Sequence, residues 1–383
     1  SPTTSTTASL PSAKRDYVAP QRPTQTPNSA TKPLNTPQSG KQEYDSQFPS
    51  LGGSTANSHP TTKPQSSGRR DYVAPQHSTP RPPSAGGNVK DLVNFYDGMN
   101  KNGPQGIPSY SSIAQGNSAT DSEIKTISEE LLRKDVNNAA KYVTVNYQGK
   151  TSSGSIEDKA PQPLFTVAPA AWNIPTIEKF IPLLDNYERD TLVNEHVTPQ
   201  ERNEENAFMD AIMSTTVIRH LMNFLKEKGY VTPDPKQQRD FMKQLWFTLY
   251  SRGKGKISSS GFEHIFVSEL KNREVSGLHN WIYFAREEAA NRVNYLGYLK
   301  YLQLNDKGVV MKLHFNQLGV DKPVDSMFIG TSPELEMALY TLCFVTRADN
   351  DCELKLATKD VKIISHTFRY RSKNLIGSAY PQI

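Results

Sequence analysis

Cysteine is almost absent from this 383-residue chain, which has only Cys343 and Cys352. Two thiols exclude a disulfide framework and a finger-type zinc site. Long apolar runs are missing as well: no stretch approaches the ~18 apolar residues of a membrane-spanning helix. Neither a G-x-S-x-G nucleophile elbow nor an H-E-x-x-H metal motif occurs. That removes the nucleophilic-serine hydrolase and zincin readings.

Tryptophan and aliphatic residues are scarce in the first third. Residues 1–120 contain none of the three Trp but 16 of the 27 Pro. They also carry 11 of the 44 Lys+Arg and 6 of the 39 Asp+Glu, so the whole net charge of +5 sits there. A segment rich in Ser, Thr, Pro, Gln and Gly cannot bury enough apolar surface to offset its ordering entropy. Residues 1–120 are therefore expected to form a disordered basic arm, and residues 121–383 one globular part. Within the arm, K-R-D-Y-V-A-P-Q at 14–21 recurs as R-R-D-Y-V-A-P-Q at 69–76. Two such short copies exclude a solenoid. They read as a docking motif for a protein partner, anchored by Tyr17/Tyr72 and Val18/Val73 with avidity from duplication. Dibasic cleavage sites and simple duplication are the competing readings.

The patterning of residues 121–383 predicts helices first and antiparallel strands after, an α+β fold. Asp121-Ser122-Glu123 opens a helix with Ile124, Ile127, Leu131 and Leu132 on one face. Val143, Val145 and Tyr147 alternate like a strand. Helical texture follows over 172–185, and Thr198-Pro199-Gln200-Glu201 is a helix start. One long helix is expected over 208–225 and another over 235–250. Residues 251–260 read as a Gly/Ser/Lys loop. Strands are expected at 293–304, 309–315, 324–329, 339–345, 352–356 and 363–370, with Asn305 to Gly308 as a hairpin turn and Ser332-Pro333-Glu334 opening a helix.

Among eight histidines, two have the right company for chemistry. His264 lies in G-F-E-H-I-F, just after the loop that offers Arg252, Lys254 and Lys256 as three cations able to hold phosphates. His279 lies in S-G-L-H-N-W. His196, His314 and His366 lack polar neighbours in sequence, and His220 reads as structural. Two imidazoles sharing a cleft can take and give a proton near neutral pH. Cleavage of RNA by its own 2′-hydroxyl requires that pair plus a cation for the charge that builds on phosphorus.

The segments S-S-G-F-E-H-I-F-V-S-E-L (259–270), G-L-H-N-W (277–281), K-P-V-D-S-M-F-I-G-T-S-P-E-L-E-M-A-L-Y-T-L-C-F (322–344) and G-S-A-Y-P (377–381) occur in that order. Together they resemble the EndoU family of poly(U)-specific endoribonucleases, which is related in its catalytic half to the coronavirus uridylate-specific endoribonuclease. The resemblance covers residues 121–383 and none of the arm. It implies an EndoU-like fold and uridine-directed cleavage of single-stranded RNA leaving a 2′,3′-cyclic phosphate. It implies His264 as general acid, His279 as general base and Lys322 as the cation of the transition state. Ser326 is implied to read the uracil edge, Tyr380 to pack on uracil, and Ser378 to supply a small hydroxyl beside it. Glu263 and Glu269 are implied to support the site, and Mn²⁺ is implied as a cofactor whose ligands the sequence does not name. The alternative is a non-catalytic RNA- or protein-binding module with the arm as its working part. A monomer is expected.

The two cysteines flank a turn-like R-A-D-N-D segment, which suggests a hairpin able to place their sulfurs on facing strands. The first residue is Ser rather than Met, and the arm is Thr/Ser/Pro-rich with dibasic pairs. These features favour a secreted protein; the absence of any N-x-[ST] sequon and the ordinariness of buried thiols favour a cytoplasmic one.

Overall fold

The computed structural model describes residues 118–371 and 373–383. The arm and its repeat lie outside them. Helix α1 (Asp121–Arg133) starts where the sequence predicts. The Thr120 hydroxyl accepts from the Glu123 N–H, and the Glu123 carboxylate accepts from the Thr120 N–H. This reciprocal cap satisfies two otherwise orphaned donors. The apolar face predicted for α1 is the buried one.

Further helices are α2 (Pro175–Phe180), α3 (Pro199–Met213), α4 (Thr216–Glu227) and α5 (Pro235–Phe247). The single helix expected over 208–225 is in fact two. At Ser214-Thr215 the chain leaves helical geometry, and the Thr215 hydroxyl caps α4 by accepting from the Ile218 N–H. A hydroxyl that competes for backbone donors is the local cause of the break. Short helices α6 (Gly261–Phe266) and α7 (Trp281–Ala289) flank a hairpin of β3 (Glu269–Lys271) and β4 (Glu274–Ser276).

Strands β1 (Val143–Val145) and β2 (Phe165–Val167) pair with each other. Two three-stranded antiparallel sheets follow. One is ordered β5 (Val293–Gln303), β6 (Val309–Gln317), β7 (Val320–Ile329); the other is β10 (Lys373–Gln382), β9 (Lys359–Tyr370), β8 (Asp351–Leu356). Between the sheets in sequence runs α8 (Pro333–Arg347). The α+β expectation is met. The strand expected at 339–345 is not: it is the second half of α8. Twelve of the fifteen α8 residues are buried, Pro333 to Phe344 without a break. A helix apolar on all sides carries no 3.6-residue stripe, and its sequence reads like a buried strand.

That correction also changes the cysteine geometry. Cys343 and Cys352 form a disulfide with their Cα atoms 5.6 Å apart, but the bridge joins α8 to β8 rather than two hairpin strands. Under the helices, Phe180, Phe208, Trp246, Phe262 and Phe266 pack ring against ring; the Phe262 and Phe266 centroids are 5.1 Å apart and those of Trp246 and Phe266 5.4 Å. Two of these rings belong to α6, so the aromatic core fixes the short helix that carries His264. No described helix is long and apolar enough to cross a membrane.

Candidate active site

Ser260 caps α6 by accepting from the Glu263 N–H. All six residues of α6 are buried, and its fourth, His264, is 1% exposed. The ring is held at both nitrogens: Nδ1 lies 2.8 Å from Glu269 Oε2 and Nε2 lies 2.9 Å from Ser378 Oγ. A carboxylate only accepts, so Nδ1 carries the hydrogen in the neutral ring and Nε2 faces the serine hydroxyl.

His279 reaches the same place because the chain folds back on α6 at Gly277. This glycine has φ +75°, and a Cβ there would sit 1.8 Å from the His264 carbonyl oxygen. Only a residue without a side chain permits that approach. The next two N–H groups use it: Leu278 donates to His264 O at 3.0 Å and His279 to Ile265 O at 2.8 Å. The two imidazole centroids end 6.0 Å apart. His279 Nδ1 donates to the Ser326 carbonyl at 2.9 Å, which leaves the lone pair of the neutral ring on Nε2.

Lys322 and Asp325 come from edge strand β7. The β6–β7 register shifts between Leu313 and Phe315, so Leu313 faces Asp325 and Phe315 faces Lys322. Residues three apart in a regular strand point to opposite faces; the bulge puts these two on the same face. Pro323, which has no N–H to offer a ladder, sits inside it. As a result Lys322 Nζ lies 3.3 Å from Asp325 Oδ1, which is itself 2.9 Å from His279 Nδ1. Both Asp325 contacts lack hydrogen-bond geometry. The carboxylate therefore acts on the pair through its charge, while the directional bond of His279 goes to the Ser326 carbonyl. Lys322 donates to the Gly277 carbonyl at 2.5 Å, tying β7 to the histidine turn.

Strand β10 closes the site with Ser378 and Tyr380. The Tyr380 ring lies 5.3 Å from that of His279, tilted by 32°. His366 is also there, its ring 6.0 Å from Tyr380. Sequence reading gave His366 no polar company because its neighbour is fourteen residues away. His314, read the same way, pairs through Nε2 with Asp321 at 2.6 Å, and His220 pairs with Glu130.

Beneath His264 lies an element that sequence reading misassigned. Arg252 was grouped with Lys254 and Lys256 as a phosphate-binding cation. Lys254 and Lys256 are exposed, but the Arg252 side chain is fully buried. Its Nε bonds to Ser259 Oγ at 2.8 Å and meets Glu269 Oε2 at 3.0 Å. Its Nη2 donates to Gly377 O at 2.6 Å and to the Tyr250 hydroxyl at 2.8 Å. One guanidinium thus holds the partner of His264 Nδ1 and the residue preceding the partner of Nε2. Ser259 also bonds to Glu269.

The charges follow from this packing. Burial pushes the His264 imidazole down to about 3, and the Arg252 cation adds to that against the opposite pull of Glu269. His264 is therefore neutral in the free protein at neutral pH. Burial pushes the Glu269 carboxyl up, but Arg252, His264 and Ser259 together hold it below its ordinary value. Glu263 is different. It is fully buried, and neither carboxylate oxygen has a hydrogen-bond partner among the described residues. Burial, then the charges of Glu269 and Glu195, raise its carboxyl well above the usual range. Glu269 touches His264, whereas Glu263 makes no such contact.

All eight residues singled out in the sequence are thus placed: Lys322, Ser378, Tyr380 and Glu269 gather around His264 and His279, Ser326 joins them through its backbone carbonyl, and Glu263 is buried behind. Ser259 and Asp325 were given no role, and Arg252 the wrong one. No described group of three or more His, Cys, Asp or Glu side chains is arranged to hold a metal ion.

Known proteins resemble this chain over the same residues. The family described as Endoribonuclease XendoU matches residues 123–381. The uridylate-specific endoribonuclease EndoU of Drosophila melanogaster is 38% identical over 267 residues, covering 68% of this chain and 83% of that protein. Uridylate-specific endoribonuclease C of Xenopus laevis is 38% identical over 274 residues, covering 69% of this chain and 90% of that protein. The solved structure of XendoU, described as a splicing-independent snoRNA processing endoribonuclease, aligns with a TM-score of 0.58 and 35% identity over 68% of this chain and 96% of its own. With the histidine pair, the lysine and the serine–tyrosine strand gathered in one place, and relatives matching over two thirds of its length, this chain belongs to the XendoU family of endoribonucleases.

Proposed function

We propose that this endoribonuclease cuts single-stranded RNA at uridines by attack of the 2′-hydroxyl on the adjacent phosphorus, leaving a 2′,3′-cyclic phosphate. The observation that carries this reading is the facing pair of histidines, 6.0 Å apart, each oriented through Nδ1. His279 Nε2, bearing the lone pair, takes the 2′-hydroxyl proton. As the P–O5′ bond breaks, His264 Nε2 delivers a proton to the leaving oxygen, and the Ser378 hydroxyl keeps that position polar until substrate arrives. Because burial and Arg252 keep the free His264 neutral, its proton is acquired with substrate, whose phosphate charge offsets the guanidinium. Lys322 stabilises the negative charge on the non-bridging oxygens. Tyr380 packs on the base, as unpaired bases stack on aromatics, and Ser326 bonds its edge. A non-catalytic RNA- or protein-binding module would have no use for two oriented imidazoles and a buried lysine.

Manganese, implied by the resemblance, does not fit the donors described. The Glu269 carboxylate is engaged by Arg252, Ser259 and His264, and Glu263 is fully buried, its carboxyl raised by burial, with no group of companion ligands among the described residues. The protein is read as a secreted monomer with the arm as an interaction segment. The helix–strand disulfide supports an oxidising compartment. Intact mass of protein collected outside cells should rise by two protons on reduction; failure to recover it there overturns the location.

The deciding assay is cleavage of a single-stranded oligonucleotide with one uridine, against the same strand carrying cytidine. Cleavage at uridine with a product one water lighter than the open phosphate supports the reading. Equal cutting at cytidine overturns the base preference, and a linear phosphate as first product overturns the route.

A further inference from the structure

Strand register carries the surface of the cleft further than the motifs do. In β6–β7, Ser326 lies directly opposite Lys312; in β5–β6, Lys312 lies directly opposite Lys300. Residues directly opposite in an antiparallel ladder project to the same face, one strand spacing of about 5 Å apart. Ser326, Lys312 and Lys300 therefore form one row across the sheet, from edge strand β7 to the outer strand β5. Exposure rises along it: Ser326 is buried, Lys312 half-buried and Lys300 exposed.

The row is costly as free structure. Like charges directly opposite one another destabilise a sheet. Carboxylates that usually relieve such a pair are engaged elsewhere: Asp325 is opposite Leu313 on the other face, and Asp321 pairs with His314. Among the described residues neither Lys300 nor Lys312 enters a salt bridge, whereas eight other lysines do. Two unpaired ammonium groups in line with Ser326, the residue whose carbonyl orients His279, match an anion that repeats at intervals, which is the backbone of a nucleic acid strand.

We propose that Lys312 and Lys300 form a phosphate track that holds the RNA flanking the cut, so that the protein engages several nucleotides beyond the uridine. This rests on Ser326 contacting the cleaved nucleotide. Phosphate contacts position a strand without reading its sequence, so the track adds affinity for length and leaves the base preference to the cleft.

The test uses the full chain and its Lys300→Ala, Lys312→Gln and doubly substituted variants. Substrates are a uridine-containing dinucleotide and a twelve-nucleotide single strand with one central uridine. Expected on the long strand is a drop in kcat/KM of up to about fivefold per lysine at low salt, the upper end for an exposed ion pair. The salt slope of binding, measured with the same strand in a His279→Ala background, should fall by about 0.7 for each lysine lost. Dinucleotide cleavage should not change, Lys300→Arg should restore the long-strand rate, and Lys300→Ala should melt no lower than the parent. Equal losses on both substrates, or an unchanged salt slope, overturn the track. A parent that cuts neither substrate at uridine defeats the proposed function instead, and the binding slope still judges the track.

Discussion

Arg252 and Glu269 meet 3.0 Å apart with both side chains fully buried, and His264 shares the same carboxylate. Breaking one partner of such a pair leaves an uncompensated charge out of water. Arg252→Ala is therefore expected to lower unfolding free energy by about 3–5 kcal/mol. Arg252→Lys keeps the charge but loses the fork that reaches Glu269, Ser259, Tyr250 and Gly377 together. Urea unfolding compares the two: Lys should recover only part of the loss. A folded Arg252→Ala at parental stability would show that Glu269 is not ionised.

Stability should fall as pH drops below neutrality. The His264 imidazole goes from an ordinary value of 6.5 to about 3 on folding, so between those limits the unfolded chain binds more protons. Stabilisation is complete above 6.5 and lost progressively toward 3, by about 2 kcal/mol between pH 7 and pH 5. The difference between parent and His264→Gln denaturation midpoints at the two pH values isolates this contribution. A His264→Gln variant with the parent's full pH slope would assign the effect to other groups.

Cleavage itself should fall by about 10²–10⁴ in His264→Ala and in His279→Ala, the range for one proton-transfer residue. Either variant retaining parental turnover while folded removes that histidine from the mechanism.

Gly277→Ala should be as damaging without touching a reacting group. Its methyl would come within 1.8 Å of the His264 carbonyl oxygen, so the turn must open and the histidines separate. A shift of about 1 Å at reacting groups costs on the order of 10²-fold in rate. Parental kcat in this variant would mean that the turn relaxes without moving His279.

Lys322→Ala should reduce kcat more than RNA affinity, because the charge it meets develops mainly in the transition state. A variant whose defect is confined to binding would make Lys322 a phosphate anchor.

The legible parts of the fold were those with a local cause. Thr120 and Thr198 each precede a Glu three residues later, and both form reciprocal caps. The Asn305 to Gly308 turn joins the strands predicted around it. What stayed hidden was set by long-range packing. Residues 339–345 read as a strand because α8 is buried on every side. Arg252 read as a surface cation because only β10 and β3, 125 and 17 residues on, reveal where its donors go. Asp325 was passed over because its place beside His279 depends on a bulge that nothing but the register discloses.

The partners of His264 are drawn from far along the chain: Glu269 five residues on, Ser378 another 109 beyond. Arg252 bolts the two contributions together from a third direction. Contacts of such wide sequence separation form late, after the loops between them have closed. A partly folded chain that lacks the last sheet thus presents His264 without Ser378. Orientation of His264 is thereby a property of the finished fold rather than of any one segment, because all three contributions must be in place together.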